Sequence, residues 1–227
     1  MKKTFYSEAA YGAGLALLAF ATALMERADF GMSMVVAPAY LVHLKLVQVL
    51  PFFSFGMAEY CLQFLLLAAL SLVMGRVKKG YLFSFVTAVL YGLLLDGSLA
   101  VTAWLPTDLF PVRVVLFVVG MVVCSVGVAL LFHTYLAPEA YELVVKELSQ
   151  KTGREIGGVK TAYDLISLGV SVLLSFAFFG LFRFEGVKWG TLITALVNGR
   201  LIGWLSARME QRFAFTDKFD LRRVFER

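Results

Sequence analysis

Four ionisable side chains lie inside long apolar runs: Glu59, Asp96, Asp164 and Arg200. A charge at the centre of a bilayer costs about 2.5–3.5 kcal/mol on insertion scales, so such groups pair, face a cavity or move ions. Arg200 is the one cation in the middle of a run, and Asp96 is its expected partner. That pair is read either as a structural tie between two helices or as the floor of a polar cavity. Glu59 and Asp164 have no obvious partner in the sequence. They suit contact with a substrate or carriage of a proton; the plainer reading is an acid reaching toward the membrane surface. Asn198, Tyr40 and Tyr141 complete the candidate substrate or ion site, with Pro38 and Pro138 as gate elements. His43 and His133 stand near run ends without Cys or carboxylate at ligand spacing, so no metal site is expected. No phosphate-cradling loop, nucleophile elbow or His-Glu-x-x-His motif is present, so neither catalytic residues nor a cofactor are expected and an enzyme is disfavoured.

The elements that must hold these residues follow from composition. The 227-residue chain is 60% hydrophobic and 16% charged, with a mean hydropathy of +0.80. Soluble domains have roughly 45–50% apolar and 25% charged residues, so the sequence reads as an integral membrane protein. A helix crossing a bilayer needs about 20 apolar residues. Six such runs occur, at about 9–27, 52–75, 81–104, 112–134, 159–182 and 187–207. There is no ten-residue polar/apolar alternation of the outer-membrane barrel kind. Cys61 and Cys124 fall inside runs and read as small packing residues.

Orientation follows from the basic residues. With the N-terminus inside, inner segments hold 15 Lys and Arg and outer loops five. That bias places both termini in the cytoplasm. The net charge of +5 is accounted for by this sorting, and no nucleic-acid partner is implied. Lys2, Lys3 and Ala21-x-Ala23 also fit a cleaved signal peptide, but the first run is needed to complete a repeat.

The repeat is marked by Ala37-Pro38-Ala39-Tyr40-Leu41-Val42, which returns as Ala137-Pro138-Glu139-Ala140-Tyr141-Glu142-Leu143-Val144. Thr87-Ala88-x-x-x-Gly92 likewise returns as Thr194-Ala195-x-x-x-Gly199. The expected fold is an all-α membrane protein of six spans, built as two inverted three-helix repeats. Each repeat carries a Pro-containing interrupted or re-entrant helix. Residues 1–104 form the first repeat, 105–207 the second, and 208–227 an amphipathic cytoplasmic tail. An odd number of spans per half inverts the second half, an arrangement common in secondary transporters, with the substrate between the halves.

Local patterns refine this plan. Gly12, Gly14, Ala16, Ala19, Ala21 and Ala23 crowd the first span and invite close helix packing. Met32 to Leu50 is broken by Pro38, His43 and Lys45 and reads as re-entrant or interfacial. In the second Ala-Pro element, Leu136, Ala140, Leu143, Val144 and Leu148 recur at helical spacing. This predicts an amphipathic cytoplasmic helix whose acidic face is solvated. The tail interleaves Phe213, Phe215, Phe219, Leu221 and Phe225 with charges, which suits a helix on the inner leaflet or an oligomer contact.

Gly14–Leu17, Ala28-Asp29-Phe30-Gly31-Met32-Ser33, the Gly56 region and Lys188-x-Gly190-Thr191 together resemble the YczE/YitT family of bacterial membrane proteins. The second half, with Tyr141-Glu142-Leu143, departs from the YitT branch. The resemblance implies a multi-pass protein of the bacterial inner membrane and names no substrate. The leading function is a small secondary transporter for a small polar or charged metabolite or ion, with proton coupling. The alternatives are a substrate-binding membrane subunit of an energy-coupled vitamin importer, or a non-transporting accessory protein. The expected partners are the lipid bilayer, a small-molecule or ion substrate and further copies of the chain.

Overall fold

The computed structural model describes residues 2–31, 33–53, 55–182, 184–185 and 187–219. The described residues form eight helices and one pair of short strands. The helices are α1 (Ser7–Ala28), α2 (Ala37–Leu46), α3 (Phe55–Met74), α4 (Lys79–Thr102), α5 (Phe110–Phe132), α6 (Ala140–Thr152), α7 (Ile156–Phe179) and α8 (Trp189–Arg212). Five of them, α1, α3, α4, α5 and α7, are long and apolar enough to cross a membrane. With 24 residues, α8 is as long as α4, but Asn198, Arg200 and the charged stretch before Arg212 dilute its apolar character. Its two ends nevertheless reach both ends of the bundle. The Gly190 amide donates to the Phe30 carbonyl at 2.9 Å, while Phe213 follows Arg212 into a strand beside the N-terminus.

The order long helix, short Ala-Pro helix, two long helices occurs twice. At the centre α1 packs along α5, and α4 and α8 pack on the outside of α1 and α5 respectively. The short helices α2 and α6 each pack on both α3 and α7. Glycine sets the central approach. A Cβ on Gly14 would come within 2.9 Å of the Gly127 carbonyl, and one on Gly127 within 2.8 Å of that of Gly14. The small-residue face of the first helix therefore packs as its composition predicts. The same device joins α7 to α8, where a Cβ on Gly157 would meet the Gly199 carbonyl at 2.8 Å.

Two expectations fail here. The tail does not begin as an inner-leaflet helix: α8 runs on to Arg212, and Phe213–Thr216 (β2) pairs in parallel with Lys3–Tyr6 (β1). Phe5 packs on both Phe213 and Phe215, and His133 stacks on Phe215 at 4.4 Å. Alternate aromatics suit a strand with one covered face. The rest of the predicted tail, 220–227, lies outside the described residues, as does Met32 of the first interrupted stretch. The second failure concerns α6, which is not a solvated amphipathic helix. Tyr141, Glu142, Val145 and Glu147 are all buried, because α3, α4, α5 and α7 pack around it.

Candidate functional site

The backbone leaves α5 at His133 and turns back into the bundle through Thr134 to Glu139 before α6 begins. Pro138 explains the turn: it removes a backbone donor and bars a continuous helix. The elbow is held by α4. Thr87 Oγ1 donates to the Ala137 carbonyl and Ser84 Oγ to the Pro138 carbonyl, both at 2.7 Å. Tyr11 of α1 meets Thr87 Oγ1 at 2.8 Å. Thr87 lies eight residues into α4, or about 12 Å from its start, so the N-terminal end of α6 sits deep in the bundle. Its far end returns to the level of the α3–α4 turn, where Lys151 donates to the Val73 carbonyl and Lys78 pairs with Glu147 at 2.6 Å.

Around the deep end of α6 lies a group of ionisable side chains. Glu139, Glu142, Lys160 and Asp164 are all buried, Lys160 at 2% exposure and Asp164 at 0%. Lys160 Nζ lies 2.9 Å from Asp164 Oδ1 and 3.6 Å from Glu142 Oε1. Lys160 and Asp164 share one face of α7 at i,i+4 spacing. From α3, Glu59 Oε2 accepts the Tyr141 hydroxyl at 2.5 Å. Among the described residues Glu59 Oε1, Gln63 Oε1, Glu142 Oε2 and both Asp164 oxygens are buried with no hydrogen bond of good geometry, and the Lys160 ammonium meets Asp164 as an ion pair. All of these orphaned atoms are acceptors. The group thus offers places for protons or for a donor-bearing cation. Among the described residues no three His, Cys, Asp or Glu side chains are arranged to hold a metal ion.

A cleft of about 540 Å³ opens beside this elbow, with Ala137 in its wall and Arg76, Lys78, Lys146 and Glu147 around it. His133 also lines it. Burial pulls the His133 imidazole below its ordinary value, against the opposing pull of Glu210.

The sequence-chosen residues divide into three sets. Glu59, Tyr141 and Asp164 belong to the cluster. Asn198 is buried and accepts from Ser125 Oγ at 2.6 Å, and Tyr40 is half-buried with its ring edge-on to Phe55 at 5.7 Å. Pro38 lies in the first turn of α2, and Pro138 immediately precedes the Glu139 cap of α6. Asp96 and Arg200 stand apart: both are exposed, and no ion pair joins them. The reason is packing. Gly199 faces Thr161 and Gly157 of α7 rather than α4, and nothing lies within 4 Å of a Cβ on Gly92.

Lys160, Glu139, Glu142 and Gln63 are site residues that the sequence does not mark as such. Lys160 looks like an inner-loop charge and the two glutamates like a solvated face. The signals were Lys160 and Asp164 one turn apart at the head of an apolar run, and two acids directly after Pro138.

The chain belongs to a family of unknown function (DUF6198), whose model matches residues 5–207. No curated protein and no solved structure matches it.

Proposed function

We propose that the chain is a small proton-coupled secondary transporter of the bacterial inner membrane, moving a small polar or charged metabolite or ion. The observation that carries this reading is a charge balance: Glu59, Glu139, Glu142 and Asp164 gather around the deep end of α6, and Lys160 pairs with only Glu142 and Asp164 of them. Burying an unpaired ion costs several kcal/mol even after relaxation. The surplus acids are therefore occupied by protons or by a cation, and exchanging those changes what holds α6 in place. In this reading α8 is the sixth span and both termini are cytoplasmic. Three spans per half make the halves inverted, and α2 and α6 dip in from opposite sides as gates. The cleft at Ala137 is the inner approach to the site. Kinship with the YczE/YitT proteins fits the same picture.

The test uses the whole chain in liposomes under an inward proton gradient, with transport currents read against a panel of small carboxylates, amines and sugar phosphates. At least one solute should give a current that depends on the gradient. Asp164→Asn should abolish it, and Glu26→Gln, at an exposed position, should not. A current unchanged by collapsing the proton gradient, or by Asp164→Asn together with Glu142→Gln, would refute the proposal.

A further inference from the structure

Arg200 and Asp96 remain as charges on helix faces that no described residue covers. Among the described residues neither joins an ion pair or a side-chain hydrogen bond. Arg200 is eleven residues from the start and twelve from the end of α8, so it cannot reach water at either end of a membrane-crossing helix without a large distortion. Asp96 is six residues from the end of α4.

These two charges complement each other in depth as well as sign. The start of α8 and the end of α4 lie at the same end of the bundle. From that end Asp96 is about 9 Å in and Arg200 about 16 Å in, at 1.5 Å per residue. Side chains lean toward the N-terminus of their own helix. On α8 that lean carries Arg200 toward this end; on α4 it carries Asp96 away from it. The long guanidinium side chain thus spans the difference. Each charge also sits in an exposed stripe at helical spacing: Leu93, Asp96 and Ala100 on α4, and Leu196, Arg200 and Trp204 on α8. Gly97 next to Asp96 has open space around it, which lets a second helix approach. Within the chain these stripes cannot meet, because α4 packs on α1 while α8 packs on α5 and α7.

We propose that the two stripes are the contact between copies of this chain in the membrane. Asp96 on α4 of one copy pairs with Arg200 on α8 of another. Each charge is neutralised in a place where lipid would leave it bare, and the pair fixes which faces meet. The pairing rests on α8 being the sixth span, as in the reading above, and not on the chain's transporting anything.

The experiment uses full-length protein in liposomes with Cys61 and Cys124 changed to Ser. Copies carrying Asp96→Cys and one tag are mixed with copies carrying Arg200→Cys and another, and mild oxidation should join the two tags. Separately, fluorescence transfer between labelled copies should fall at least tenfold in Asp96→Arg and in Arg200→Asp. It should return when both changes are made in one chain. A thermal transition for every variant shows that loss of association is not loss of fold. The proposal is overturned if the purified chain is monomeric in liposomes, as it would be were a different protein or a lipid headgroup the partner. It is equally overturned if the single charge reversals leave association unchanged, or if the double reversal fails to restore it.

Discussion

The two Ala-Pro helices share a plan and differ in chemistry. Both follow a long helix, both have a buried proline at their start, and both pack between α3 and α7. Yet α2 has no carboxylate: its charged or titratable residues are Tyr40, His43 and Lys45, and the chain beside it is held by Met34 against Leu168 and Ala195. The opening of α6 brings Glu139, Tyr141 and Glu142 against Lys160, Asp164 and Glu59. A scaffold present in both halves therefore carries ionisable chemistry in one. The apolar copy shows what the backbone plan requires, a proline and small residues, and the acidic copy shows what has been added to it.

The largest effect should come from Lys160. Lys160→Met strands Glu142 and Asp164 in the interior, and breaking a buried pair by removing one partner costs about 3–5 kcal/mol. A thermal melt in detergent should show this as severe destabilisation. Adding Glu142→Gln and Asp164→Asn to Lys160→Met should recover most of the loss, since whole buried ion groups are often replaced at little cost. Lys45→Met in α2, at an exposed position, should move the melt little. Equal effects at Lys160 and Lys45 would erase the contrast between the two helices.

The next effect is at the paired threonines of the Thr-Ala-x-x-x-Gly signature. Thr87 is fully buried and bonds both the Ala137 carbonyl and Tyr11. Thr194 bonds its own helix at Gly190 and Thr191 and touches Met34 Sδ at 3.7 Å. Thr87→Val should cost about 1–3 kcal/mol through the polar groups it leaves unsatisfied. Thr194→Val should cost less, because Gly190 and Thr191 keep their helical bonds. The reverse order in melting temperature would show that α2, not α6, is the elbow more dependent on its threonine.

How far the sequence disclosed this arrangement depends on which residue is asked about. Apolar runs located the long helices, because crossing length and hydropathy are local properties. Proline and the duplicated hexapeptides located α2 and α6. Glu59, Tyr141 and Asp164 were picked out as polar residues in apolar surroundings or beside a proline. What was hidden was the path of the chain after Phe132. Once Thr134 to Glu139 folds back between α3 and α7, residues that look like a loop and a solvated face are buried, and Lys160 with them. Asp96 and Arg200 failed for a related reason: matching motifs at Gly92 and Gly199 do not say which helix each glycine faces.

Smaller effects should follow at the paired tyrosines. Tyr141→Phe removes one donor to the Glu59 carboxyl and leaves Gln63 beside it as another, so the loss should be about 1 kcal/mol. Among the described residues Tyr40 gives no side-chain hydrogen bond, and its ring rests on Phe55, so Tyr40→Phe should be close to neutral. In liposomes the same pair separates function from fold. Gradient-driven current should fall in Tyr141→Phe and persist in Tyr40→Phe. Loss of current in Tyr40→Phe with an unchanged melt would move α2 into the working site and narrow the difference between the two halves.

The smallest effect belongs to the clip that leads into α2. Asp29 ends α1 in the left-handed region, at φ 52°, which Asp and Asn tolerate better than most residues. Its carboxylate meets Lys188 Nζ at 2.6 Å and Arg113 at 3.1 Å. The bond from Lys188 holds the carboxyl below its ordinary value of 3.8; burial opposes it, and the charges of Lys188 and Arg113 reinforce it. A carboxyl depressed in the folded state stabilises fully above its unfolded value and loses that contribution as the pH falls through the folded one. Asp29→Asn keeps the backbone conformation and removes the charge. Wild type should therefore melt slightly above the variant at neutral pH, by the small margin usual for exposed pairs. The margin should hold down to about pH 5, shrink below pH 4 as Asp29 is protonated, and narrow in high salt. A margin that widens toward low pH would mean that Asp29 carries its proton in the folded chain, and the clip at the mouth of α2 would not be electrostatic.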